Sequence, residues 1–320
     1  MGIRGAIVMA ATAAVLPFAA QVSAEAADLK GRAPVAAAEP QLCKETSEVN
    51  PDIFGFSSGS DVATPGSLAL GIEYGGGFGA RSARAMSTDG KVQLSYGLVP
   101  CVEIGPSVVF GHSYEEPYGF EERGESDAIG GAIEAKFKLI GRAQAGFGMT
   151  LVFEPSWVRV NERTRFSNGD PTEKNDHDET GLASKIVMDA VLVPDRLFFA
   201  LNFVHEAAWI DVTPQEEESA FITSAALTLK ASESFFIGVE GSYRQAYAGA
   251  WFDKSRGDAW YVGPTFFWAL AENVSLSGAL AIQVSGGEKT ILDEDQFAMG
   301  DLNLVDFSQY DAKLKLGISF

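Results

Sequence analysis

The sequence predicts an all-β protein: a closed, antiparallel transmembrane β-barrel of about twelve strands. Three observations predict it. After Gly66 the chain divides into segments of roughly 9 to 13 residues in which apolar and polar side chains alternate, long enough to cross a bilayer at a tilt. Tight turns and long polar connections follow one another in strict alternation, as in barrels with short periplasmic turns and long extracellular loops. The last segment places Tyr310, Ala312, Leu314, Leu316, Ile318 and Phe320 on one face and Asp311, Lys313, Lys315 and Ser319 on the other. Such a strand needs partners on both edges, and pairing it with the first strand leaves no edge open.

Read in order, residues 1–26 form an export signal: Arg4, an apolar stretch from Ala6 to Phe18, and small residues at Val22-Ser23-Ala24 or Ala24-Glu25-Ala26. Residues 27–65, with Pro34, Pro40 and Pro51 and no sustained periodicity, read as an extended periplasmic lead-in; folded up into the barrel, it narrows the lumen. The barrel occupies 66–320, with strands at about 67–75, 90–98, 101–111, 127–139, 144–158, 180–193, 196–209, 220–231, 234–247, 258–270, 273–285 and 309–320. Its tight turns are Leu98-Val99-Pro100-Cys101, Ile140-Gly141-Arg142-Ala143, Pro194-Asp195, Ala231-Ser232-Glu233 and Ala271-Glu272-Asn273. Long loops fall at about 76–89, 112–126, 159–179, 210–219, 248–257 and 286–308. Aromatics near strand ends on the apolar face (Tyr74, Phe110, Trp157, Trp209, Tyr247 and Trp260 at one level, Phe199, Phe235, Trp268 and Phe320 at the other) resemble interfacial girdles.

Bulk composition narrows the function classes. With 43 acidic against 24 basic side chains and a net charge of −19, the chain lacks the basic footprint of a nucleic-acid binder. Beyond the N-terminus no run of roughly 18 apolar residues offers a spanning helix. Asp176-His177-Asp178 lacks the loop spacing and turn glycine of an EF-hand, and no Cys/His cluster suits zinc, so neither a metal nor a cofactor is expected.

If the apolar face meets lipid, the alternate residues line the interior. These are Glu73, Gln93, Glu103, Glu134, Lys136, Glu154, Lys185, Asp189, Asn202, Glu206, Glu240, Arg244, Lys313 and Lys315, with Lys138, Lys230 and Asp311 beside them. A charge on the lipid face costs about 2–4 kcal/mol at the midplane, which drives this segregation. Both signs are present, so the interior is a network of ion pairs, a polar conduit, or both. The acidic loop residues, among them Glu115, Glu116, Glu121, Glu122 and Glu125, then Asp170 and Glu173, then Glu216 to Glu218 and Asp293 to Asp295, form a solvated surface whose field favours cations.

The register permits two further readings. Cys101 in a tight turn and Cys43 in the lead-in fall on the same side of the membrane, where an oxidising compartment permits a Cys43–Cys101 bridge. The Pro194-Asp195 turn sets Ser184 opposite His205 on the lipid-facing side, an arrangement that resembles outer-membrane phospholipases; neither Asn202, which points inward, nor Thr223 makes a convincing third member.

A terminal strand ending in Phe320 resembles the C-terminal assembly signal of bacterial outer-membrane barrels, which implies the cell outer membrane and the barrel-assembly machinery. Phe54-Gly55-Phe56-Ser57-Ser58-Gly59-Ser60-Asp61 followed by Pro65-Gly66 resembles the opening of an uncharacterised family of proteobacterial outer-membrane barrels; Glu154-Pro155-Ser156-Trp157 and Pro194-Asp195-Arg196-Leu197 are similar to later strings of that family. The chain is more loosely similar to barrel transporters linked to aromatic-compound degradation. The expectation is a restricted channel or transporter for small solutes, set among outer-membrane lipid and lipopolysaccharide and not an enzyme. A structural or surface-interaction barrel without an open pore is the alternative, and an interfacial lipid hydrolase using Ser184 and His205 a distant one.

Overall fold

The computed structural model describes residues 50–79, 83–117, 122–166, 173–288, 302–304 and 306–320. The export signal and Cys43 lie outside them, as do Glu121, Asp170 and Asp293 to Asp295. Twelve strands close one antiparallel barrel in sequence order. They are β1 (Leu68–Phe78), β2 (Ala83–Val99), β3 (Val102–Pro117), β4 (Glu122–Ile140), β5 (Gly148–Phe166), β6 (Glu173–Val193), β7 (Leu197–Ile210), β8 (Glu216–Lys230), β9 (Phe235–Ala248), β10 (Lys254–Ala271), β11 (Val274–Glu288) and β12 (Tyr310–Ser319).

Closure rests on β12. It pairs with β11 on one edge and with β1 on the other, in a ladder from Ala69 opposite Ser319 to Phe78 opposite Tyr310. One residue further, the Phe320 amide donates to the Leu68 carbonyl at 2.9 Å. The two faces are sharply divided. Along β10, Ala259, Tyr261, Gly263, Thr265 and Phe267 are buried, whereas Trp260, Val262 and Trp268 between them are exposed. Below the long-loop ends the outer wall is apolar: Tyr74, Phe110, Trp157, Ile129, Val239 and Leu280 are each at least 40% exposed. An apolar surface of this extent is normally covered by lipid or another protein.

The sequence places all twelve strands and their short turns, but the strands run further than it indicates at the long-loop end. β2 begins at Ala83 rather than near 90, β3 reaches Pro117, β5 reaches Phe166 and β6 starts at Glu173. Both faces of these extensions are polar, so alternation disappears while the backbone ladder continues. Acidic residues assigned to loops stand on these strands beside arginines: Asp178 accepts from Arg159 at 2.8 Å and Glu125 lies 3.3 Å from Arg165. A second difference is the turn at Ile140-Gly141-Arg142-Ala143, which becomes a one-turn helix, α1 (Arg142–Ala145), closed by Gly146 in the left-handed conformation.

The described part of the lead-in lies inside the barrel, near its short-turn end. Asn50 Oδ1 accepts from the Asp52 amide at 2.9 Å and Pro51 opens a 3₁₀ turn over Pro51–Phe54, which Gly55 ends at φ 84°. The Gly59 amide returns to the Pro51 carbonyl at 2.9 Å, so residues 51–59 form a compact loop before the chain runs to Gly66 and β1. Glycines on the wall make room for it. A Cβ on Gly97 would stand 2.0 Å from the Thr64 carbonyl oxygen, and one on Gly148 would stand 1.9 Å from Ser60 Oγ. Gly97→Val and Gly148→Val are therefore expected to destabilise the folded barrel by about 1–3 kcal/mol each through overpacking, read from urea unfolding in detergent. Gly131→Ala, whose nearest neighbour is 3.5 Å away, is the tolerated control.

Candidate functional site

The candidate site is the interior, and its centre is the plug formed by residues 50–66. Two kinds of contact hold it. Ile53 and Phe54, 2% and 0% exposed, pack with Phe198, Ala200, Ala226 and Phe267, and Phe236 completes this apolar core inside the wall. Burying those two plug side chains contributes about 1.5–3 kcal/mol each. The polar contacts run round the ring. Asp52 accepts from Lys315 Nζ on β12 at 2.6 Å. Glu240 on β9 accepts from the Phe56 and Ser57 amides at 2.7 and 2.8 Å, and from Ser57 Oγ at 2.6 Å. Asn202 on β7 bonds both the amide and the carbonyl of Ser58, at 2.7 and 3.0 Å. Asp189 on β6 accepts from the Ser60 amide and hydroxyl, each at 2.8 Å. Asp61 accepts from Lys138 Nζ on β4 at 2.8 Å and pairs with Arg142 of α1. Glu103 on β3 accepts from the Ala63 amide at 2.7 Å, and Gly97 on β2 from the Gly66 amide at 2.8 Å.

From Phe56 onward the plug's polar contacts therefore descend the ring from β9 to β2, where the chain becomes β1; before them Asp52 reaches β12 and the Ile53 carbonyl accepts from Thr228 on β8 at 3.1 Å. Asp52 and Ser60 contact β12 and β6, on opposite sides of a twelve-membered ring, so the loop spans the bore.

Above and beside the plug, the remaining inward side chains bind one another. Lys91 on β2 pairs with Glu154 on β5, and Lys185 on β6 reaches Glu154 at 3.2 Å and Glu134 on β4 at 3.9 Å. Gln93 donates to Glu134 at 2.8 Å; Lys136 bridges Glu103 and Glu134 at 2.9 and 3.3 Å. Arg244 on β9 pairs with Asp311 on β12 and lies 4.0 Å over the Tyr261 ring; Lys313 is 3.5 Å from Glu73. Several of these partners stand on strands that are not neighbours, and only side chains on the concave face can meet in that way. Asp89 and Glu206 are different: neither has a hydrogen-bond or ion-pair partner among the described residues, and Asp89, inward by its register between Ser87 and Lys91, is exposed.

A second segment enters from the long-loop end. Asn303, Leu304 and Phe307, between β11 and β12, are held against the wall by Gln283, which donates to the Asn303 carbonyl at 2.8 Å, and by Arg256, 2.7 Å from Asp306. Phe307 and Phe56 of the plug pack on the same inner cluster of Ala259, Tyr261 and Ala281.

The sequence-predicted interior residues other than Glu206 and Lys230 thus take part in these polar contacts, Lys230 pairing instead with Glu233 of the β8–β9 turn at 2.7 Å. Missing from that prediction are Arg142, Asp61 and the plug's own serines, all outside the strands, and the inward Asp89, Lys91, Phe198, Phe236 and Phe267, Asp89 having been assigned to a loop. The phenylalanines carried a signal: their parity is opposite to that of Phe199, Phe235 and Trp268, so they had to be covered from within. Ser184 and His205 do stand opposite each other. The His205 ring, however, stacks on Trp251 and Phe252, at 5.4 and 4.6 Å, and no Ser184–His205 hydrogen bond forms among the described residues. His205 therefore makes its ring contacts with Trp251 and Phe252 on the outer wall.

A family model described as a family of unknown function (DUF6662) matches residues 47–320. The chain belongs to that family. The match takes in the plug as well as every strand. No curated protein matches the chain. Among solved structures, the translocator domain of the autotransporter NalP from Neisseria meningitidis is similar with TM-score 0.54 and 12% identity, over 82% of this chain and 91% of that one. The β domain of the Bordetella autotransporter BrkA gives 0.55 and 9%, over 80% and 100%. An outer membrane channel from Pseudomonas putida F1 gives 0.50 and 9%, over 82% and 98%. At these identities the likeness shows a shared barrel fold.

Two outcomes follow from this geometry. Asp189 is 2% exposed, shares Arg142 with Asp61 and accepts from the buried Ser60 amide and hydroxyl, so Asp189→Ala is expected to cost about 1–3 kcal/mol by leaving those donors unsatisfied, measured by unfolding in detergent. Burial alone raises the Asp52 carboxyl, yet the Lys315 ammonium outweighs it and holds Asp52 below its ordinary value. That contact stabilises fully above the unfolded carboxylate value of about 4 and is lost as pH falls through the depressed folded value. An acid titration of plug protection against protease is expected to show this loss, and Asp52→Asn to remove it.

Proposed function

We propose that this protein is an outer-membrane channel of restricted bore for small polar solutes, with residues 50–66 as its constriction. The observation that carries this reading is the interior: a plug spans the bore near the short-turn end while inward-facing Asp89 above it remains exposed. The apolar outer wall and a fold shared with outer-membrane barrels support the location. Short turns then face the periplasm and long hairpins the outside. The ion-paired, plugged interior equally suits a barrel without an open pore, and conductance separates the two.

The bridge between Cys43 and Cys101 belongs to the same reading. Cys101 sits in the β2–β3 turn at φ 69°, two residues before Glu103, which binds Ala63 of the lead-in. The lead-in thus passes beside that turn, and a link there ties the plug's root to the wall. Labelling of the unreduced protein with a thiol reagent is expected to modify neither cysteine; quantitative labelling of both excludes the bridge.

In planar bilayers the purified protein is expected to give small, discrete conductance steps, and in liposome swelling to pass only the smallest solutes. Ile53→Ala/Phe54→Ala, which keeps the polar contacts but removes the plug's apolar anchor, is expected to give larger steps and admit larger solutes. Absence of steps from both proteins identifies a sealed, structural barrel.

A further inference from the structure

We infer that the passage favours cations, and that Asp89 and Glu206 set this preference; the inference rests on the channel reading above. The basic side chains at the level of these two residues are already engaged. Lys91 and Lys185 are held by Glu154, Lys313 by Glu73, and Arg244 by Asp311. What is left over is acidic. Asp89 and Glu206 have no ion-pair partner among the described residues, so their charge is directed into the lumen instead of being consumed by the wall.

Their placement gives that charge its effect. Asp89 stands on β2 and Glu206 on β7, strands nearly opposite in the ring, so the two carboxylates face the bore from opposite sides. Between them any solute passes a low-dielectric barrel interior in which fixed charges are weakly screened. Glycine flanks Asp89 on both neighbouring strands, Gly75 on β1 and Gly111 on β3, which leaves its carboxylate unobstructed by adjacent side chains. Opposed carboxylates in a pore favour cations and repel anions, the arrangement used wherever acidic side chains ring a cation pathway.

The test is the zero-current potential of the full-length protein in a planar bilayer under a potassium chloride gradient. The wild type is expected to pass potassium over chloride by about threefold or more, and Asp89→Asn/Glu206→Gln to bring the ratio to about one. Both changes are near-isosteric and break no ion pair, so unheated gel mobility is expected to show the same folded barrel. Asp89→Lys, which reverses one charge, is expected to move the ratio below that of the double variant. Conductance steps with chloride favoured in the wild type, or a ratio unmoved in the double variant, overturn this inference and leave the channel reading standing. A wild type without any steps overturns both.

Discussion

The fold depends on the seam between the first and last strands. In hydrocarbon an unpaired amide or carbonyl has no water to turn to, so a sheet can stand in a bilayer only when its edges find each other. The unbroken register from Ala69–Ser319 to Phe78–Tyr310 meets that condition. Once the ring is closed, the side-chain period of two leaves no choice of face. Apolar residues go outward, and charges of both signs are gathered into a confined interior where each needs a counter-charge.

That second requirement explains the plug. Seating a segment against a wall bearing Asp189, Glu240, Glu103, Lys138 and Lys315 takes those charges out of water, so the segment must offer each a partner. The segment entering the barrel supplies what is lacking: backbone amides at Phe56, Ser57, Ser60 and Ala63 for the carboxylates, and the carboxylates of Asp52 and Asp61 for the cations. Backbone donors carry no charge of their own, so they satisfy an acid without adding a base. The apolar patch of Phe198, Phe236 and Phe267 is met in the same way by Ile53 and Phe54.

Much of this was legible in the sequence. Twelve strands, their order, their short turns and the inward set from Glu73 to Lys315 follow from alternation, because a closed membrane sheet obeys a rigid period. The extended hairpins were hidden for the complementary reason: beyond the apolar zone nothing enforces alternation, and Glu115 or Asp178 reads as loop although it stands in a ladder. The plug was half visible. Phe54 to Asp61 drew notice as a string of family character, but its place in the bore follows only from long-range contacts with side chains more than a hundred residues away, such as Glu240 and Asp189. Arg142 was hidden because a one-turn helix, and not a strand, aims it inward.

The ordering of the plug's contacts has a consequence for biogenesis. Residues 50–66 leave the ribosome before any of the twelve strands, yet their sites of attachment extend to Lys315 on β12. No partial barrel offers the complete cradle. A segment synthesised ahead of every strand is thus the final piece to be seated, and half-built intermediates must carry it undocked until the ring exists.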